Sequence, residues 1–183
     1  MSTPYDDLHI ILYPDPRLRK VSEPVEAFDD DLAALVERMR QLMREDRGVG
    51  LAAPQVGINR RLFIINPTGK PEDDRVYVNP SLSEPDGEDA ADEGCLSLPK
   101  ITVNVLRSRK LRMRAQNLHG EPFEEVADGY VARIWQHESD HLDGILILDK
   151  MSSLDKLAAR KTLKELEELY AAQHPGWKKT RKP

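Results

Sequence analysis

The stretch Gln136-His137-Glu138-Ser139-Asp140-His141 decides how the rest of the chain is read. Two histidines four residues apart on a helix lie on one face, one turn above the other, so both imidazoles reach a single metal ion. Glu138 stands between them, where a carboxylate can take a proton from water on that metal. Catalytic sites of this kind commonly use three protein ligands and keep one position open. A metzincin extension would put the third histidine at 147, where this chain has Ile147 after the matching Gly144, so that arrangement is excluded. Glu165, Glu167 and Glu168 lie in a lysine-rich stretch that reads as a solvated helix, which leaves Cys95, the only cysteine. Two alternatives stand beside this reading: a thermolysin-type metalloprotease using a glutamate beyond position 160, and a module holding structural zinc. The zinc module has no use for Glu138, since a closed site wants a fourth ligand and no general base.

Working outward, Asp128 is placed to cap the helix that carries this motif. Tyr130, Ile134, His137 and His141 then share one face, with Arg133 at its edge, and Trp135 turns toward the core. Gly144 stands where a C-terminal glycine belongs, and residues 145–148 read as a short strand. Ser152 or Ser153 opens a last helix, whose stripe of Leu154, Leu157, Leu163, Leu166 and Leu169 is expected to pack on the body. Upstream, Leu32, Leu35, Val36, Met39, Leu42 and Met43 mark a first helix after an acidic opening at residues 29–31. Before it, the proline-bearing residues 1–25 read as an extended surface segment.

After the first helix comes Gly48-Val49-Gly50-Leu51-Ala52-Ala53-Pro54-Gln55, a loop of small and apolar residues with one amide donor. Residues 62–65 and 76–78 read as strands, each ended by an Asn-Pro pair, and the acidic residues 84–92 as a loop. Alternation over 101–106 and again over 111–115 predicts an antiparallel pair of strands joined through 107–110, with a third at 123–126. The fold expected is α+β: short antiparallel or mixed sheets around a central metal-binding helix, with one helix before and one after.

The chain of 183 residues suits one domain spanning 1–183, with a basic, flexible tail from about 174. A net charge of −5 argues against nucleic acid as the main partner. No apolar run reaches the ~20 residues of a membrane span, and the N-terminus lacks the features of a signal or transit peptide. A soluble, cytoplasmic protein is expected. A single cysteine forms no internal disulfide and is free for metal.

Taken together and in this order, Gly48 to Gln55, Glu93-Gly94-Cys95-Leu96-Ser97 and Gln136 to His141 resemble the three signature motifs of the peptide deformylases, and the resemblance covers nearly the whole chain. It implies hydrolysis of the N-formyl group from the initiator methionine of new polypeptides, with release of formate. It further implies Cys95, His137 and His141 as ligands of one divalent ion, Fe²⁺ in the cell, with Ni²⁺, Co²⁺ or Zn²⁺ able to occupy the purified protein. Glu138 matches the catalytic carboxylate. Gln55 and the Leu96 N–H match donors to the oxygen that becomes negative. Val49, Gly50, Tyr130, Arg133 and Ile134 fall at substrate-binding positions, and Glu93 and Arg107 at a pair that braces the site. Ser139 departs from the apolar residue frequent there, but the helix turns it from the metal. The partners implied are N-formyl-Met nascent peptides and the ribosome exit region, with neither membrane nor specific nucleic acid.

Overall fold

The structure is a computed structural model that describes residues 3–178. Three α-helices accompany one antiparallel sheet. The helices are α1 (Asp30–Glu45), α2 (Tyr130–Leu142) and α3 (Ser153–Gln173). The strands are β1 (Gly50–Ala52), β2 (Leu62–Ile65), β3 (Arg75–Cys95), β4 (Leu98–Gln116) and β5 (Pro122–Asp128), and they neighbour one another in chain order. The α+β class is as expected; Leu62–Ile65 is the strand predicted, Gly50–Ala52 is a strand where a loop was expected, and β3 and β4 are much longer than the strands predicted there.

Residues 84–92 are not a loop but part of β3, and the chain does not turn at 107–110 but runs straight through them as β4. Two prolines that read as strand breaks are accommodated within β3. Pairing steps from Val78↔Gln116 to Ser81↔Arg114 and from Ser83↔Arg112 to Asp86↔Lys110, so β3 carries an extra residue at each place. Pro80 and Pro85 sit in these bulges, where a missing N–H does no harm, so Asn79-Pro80 bends the strand without ending it. Residues 145–148 likewise form no strand. The Asp149 carboxylate accepts the Leu146 N–H at 2.9 Å, and the chain turns into a short 3-10 helix over Ile147–Lys150 that buries Leu146 and Ile147.

Helix α1 begins where Asp29 accepts the Leu32 N–H at 3.1 Å and buries all six of its predicted apolar positions against β1 and β2. Helix α2 lies on the sheet through Ile134, Trp135 and Leu142, with the Trp135 indole edge-on to Tyr77 at 5.7 Å between ring centres. Asp128 is not its cap: Gly129, with φ of 65°, occupies that place, and the Asp128 carboxylate accepts from Arg109 Nε at 3.0 Å. Helix α3 starts at a reciprocal Ser152–Asp155 cap but covers the body only through Ala159, Leu163 and Leu166. Leu154, Leu157 and Leu169 face solvent, contrary to the leucine-stripe reading. Of the stretch read as a tail, His174 and Trp177 pack on Tyr170, and residues 179–183 lie outside the described residues.

Candidate active site

Two separate elements deliver the candidate ligands. Cys95 is the last residue of β3, and a turn through Leu96 and Ser97 leads into β4. His137 and His141 come from α2, their rings 5.0 Å apart. The sulfur and one nitrogen from each imidazole all lie within 4.8 Å of one another, and Cys95 Sγ stands 3.4 Å from His141 Nε2. A thiolate and two imidazoles at this separation fit a tetrahedral divalent ion with its fourth position open. The glutamates of α3 are engaged elsewhere: Glu167 accepts from Tyr13, while Glu165 and Glu168 pair with Lys161 and Lys164. The thermolysin-type alternative therefore has no third ligand on α3.

One ion-pair network holds the imidazole of His137. Glu93 Oε2 meets its Nδ1 at 3.0 Å, which leaves Nε2 for a metal. The same carboxylate takes two bonds from Arg107, at 2.6 and 2.8 Å, and a third from Arg133 Nη1 at 2.8 Å. Burial alone would raise the Glu93 carboxyl; Arg107 and His137 outweigh it and hold the group well below the usual carboxylate range. Arg107 also reaches Asp140 at 2.8 Å, joining the strands to the far end of the motif. Arg133 was expected at a substrate-binding position. It borders the cavity, but its guanidinium is consumed by Glu93, the Val105 carbonyl and Asp89, so it braces β3.

Glu138 is buried at the floor of a cavity of about 420 Å³. Its Oε2 has no hydrogen-bond partner among the described residues, and burial pushes its pKa up to about 7 despite the opposing charges of His137 and Arg107. Gln55 is fixed by the Ala52 N–H, which donates to its Oε1 at 2.9 Å and so turns Nε2 toward Cys95 Sγ at 3.5 Å and Ser97 Oγ at 3.3 Å. Val49, Gly50, Leu96, Tyr130 and Ile134 border the same space. The glycines are there for clearance: a Cβ on Gly48 would stand 2.7 Å from Leu96 Cδ1.

The family described as polypeptide deformylase matches residues 7–157. The chain belongs to the peptide deformylase family. A peptide deformylase of Thermotoga petrophila is 46% identical over 158 residues, 86% of this chain and 94% of that protein. Crystal structures of the deformylases of Legionella pneumophila and Plasmodium falciparum superpose with TM-scores of 0.84 and 0.88 at 41% and 40% identity. Each covers 90% of this chain, and 97% and 98% of theirs. This deformylase is thus a hydrolase that removes the N-formyl group from new peptides, and its Cys-His-His cluster suits the metal dependence of that chemistry.

Sequence reasoning missed Asp140, Asp89 and Ser97. Asp140 lies seven positions after Arg133 and so on the same helix face, a signal that was present. Nothing in the sequence pointed to Asp89, in a stretch without alternation, or to the Ser97 hydroxyl.

Proposed function

We propose that Cys95, His137 and His141 hold one divalent ion and that Glu138 moves the protons of formyl-group hydrolysis. The observation that carries this reading is a buried carboxylate oxygen without a hydrogen-bond partner among the described residues, in the cavity that Cys95 and His137 line, with His141 close enough to complete a ligand cluster. When bound, such an ion lowers the pKa of water and polarises the formyl group. Glu138 accepts the proton of the attacking water and delivers it to the departing amine nitrogen. Gln55 Nε2 and the Leu96 N–H donate to the formyl oxygen as it becomes negative, a contribution of about 3–4 kcal/mol for one such donor. The backbone at Gly50 receives the peptide, and Val49, Tyr130 and Ile134 form the apolar wall for the methionine side chain.

The ion in the cell is Fe²⁺, on the family resemblance, and Ni²⁺, Co²⁺ or Zn²⁺ replaces it in purified protein. The work is done in the cytoplasm on N-formyl-Met nascent peptides near the ribosome exit; no helix among the described residues is long and apolar enough to cross a membrane. The test is formate release from a formyl-Met peptide, read together with metal content. Cys95→Ala and His141→Ala lose both, whereas Glu138→Gln keeps metal and loses nearly all turnover. Substantial activity of Glu138→Gln at full metal occupancy would refute the assigned roles.

A further inference from the structure

Two exposed cations, Arg47 and Lys100, border the cavity that holds Glu138, and neither has a side-chain partner among the described residues. Both occupy left-handed backbone, with φ of 54° and 64°. Arg47 follows α1 in a turn where its N–H bonds the Arg44 carbonyl at 3.1 Å and the Gly48 N–H bonds the Met43 carbonyl at 2.8 Å. That bonding pattern ordinarily favours glycine at the left-handed position. Lys100 lies in a bulge, because pairing jumps from Gly94↔Thr102 to Cys95↔Leu98 and leaves residues 99–101 of β4 unmatched. The fold therefore carries a long cationic side chain at two places where a glycine would fit with less strain.

The other charges around the cavity do not cancel both. Asp92 is exposed and accepts from Asn104 Nδ2 at 2.9 Å. Glu93 and Arg133 are paired with each other at 2.8 Å, and Glu138 is buried at the floor. Asn104 is neutral, so Asp92 keeps its charge and offsets one of the two cations, which leaves the exposed groups at the mouth with an excess of positive charge on a chain of net charge −5. Both side chains line the cavity that also holds Val49, Gly50 and Leu96, so a peptide extending out of that cavity would pass near them.

We propose that Arg47 and Lys100 select among formyl-Met peptides, favouring those with acidic side chains at the second and third positions. The inference rests on the deformylase reading and adds the charge of the downstream sequence. Exposed ion pairs are individually weak, so the two together amount to a several-fold preference, expressed in KM and screened by salt.

The experiment compares formyl-Met-Asp-Asp, formyl-Met-Ser-Ser and formyl-Met-Lys-Lys peptides of equal length on the metal-loaded enzyme, at low and high sodium chloride. The expected order of kcat/KM is acidic, neutral, basic, with about tenfold between the extremes at low salt and convergence at high salt. Arg47→Gly with Lys100→Gly relieves two strained positions, so it folds, and it narrows the spread; Arg47→Glu with Lys100→Glu reverses the order. Equal rates for acidic and basic peptides overturn the proposal, as does a preference that both double variants leave intact. Failure of all three peptides to release formate overturns the catalytic reading itself and is distinct from release without charge preference.

Discussion

Gly50 and Glu138 are packed so closely that a Cβ at position 50 would lie 2.3 Å from Glu138 Oε1 and 2.8 Å from its carboxyl carbon. The glycine thus sets the position of the buried carboxylate from the opposite wall of the site. Gly50→Ala forces Glu138 to move, while β1 keeps its pairing with β2, because the φ at this position is not left-handed. A misplacement of about 1 Å at a reacting group costs on the order of 10²-fold in rate. The expected result is a loss of that size in kcat with metal content retained. Unchanged kcat would show that the close approach plays no part in positioning Glu138.

The Glu93–Arg107 pair is almost completely buried, with both side chains about 5% exposed or less. Breaking a buried pair costs up to about 3–5 kcal/mol where the other charge is left alone, and less here because Arg133 still pairs with Glu93 at 2.8 Å. Here the pair also holds the His137 ring through Glu93, so the loss extends to the ligand set. Arg107→Ala is expected to lower both the unfolding midpoint and the metal affinity, the latter about 10–100-fold. Arg107→Lys should not restore either, since a lysine cannot give Glu93 two parallel bonds while also reaching Asp140. Metal titration with equilibrium unfolding of both variants checks this; full rescue by lysine would mean that only the charge matters.

The Cys-His-His cluster could be read from the sequence because most of its geometry is local. His137 and His141 need only a helix to share a face, and Cys95 was reached because it is the sole cysteine beside a recognisable motif. The helices were legible for a similar reason, since α1 and α2 each bury one stripe. The long hairpin was not, because residues 84–92 are solvent-exposed almost throughout and leave no alternation to read. The bonds of Arg133 were not legible, since its helix position gives direction but not length: its guanidinium extends to the Val105 and Asp89 carbonyls. The leucines of α3 misled because five of them suggested one stripe, whereas the buried face is made by Ala159 and Leu166 with Leu163 partly covered.

A sulfur ligand makes the identity of the ion testable by exposure to air. Thiolate donation to ferrous iron leaves the metal open to oxidation by O₂, and Cys95 can then pass through sulfenic to irreversible sulfinic acid. Apo protein reconstituted anaerobically with iron is expected to be the most active and to decay in air with loss of metal. The nickel form should stay active, and the redox-inert zinc form should survive at lower activity. Formate release and the mass of the Cys95 peptide, followed together, decide the matter. An iron form that lasts as long as the nickel form would show the iron-and-thiolate account to be wrong.

Tyr13, whose N–H bonds the Ser97 carbonyl at 3.0 Å, donates through Oη to Glu167 Oε1 at 2.9 Å and ties the N-terminal segment to α3. Burial and the adjacent Glu167 carboxylate raise the Tyr13 phenol to about 12, against ~10 in an unfolded chain. Between these values the folded chain keeps a proton that the unfolded chain has lost, so stability falls as pH rises. The contribution is fully present below pH ~10 and is lost as pH climbs through the folded value of about 12. Tyr13→Phe keeps the ring and removes the titration, so its unfolding free energy should decline less steeply with pH across this window than that of the parent chain. The other tyrosines whose phenols are raised, Tyr5, Tyr77 and Tyr170, are present in both proteins and cancel in the difference. Denaturant unfolding at a series of alkaline pH values measures it. Parallel stability curves for the two proteins would mean that the Tyr13–Glu167 bond does not hold α3 to the body.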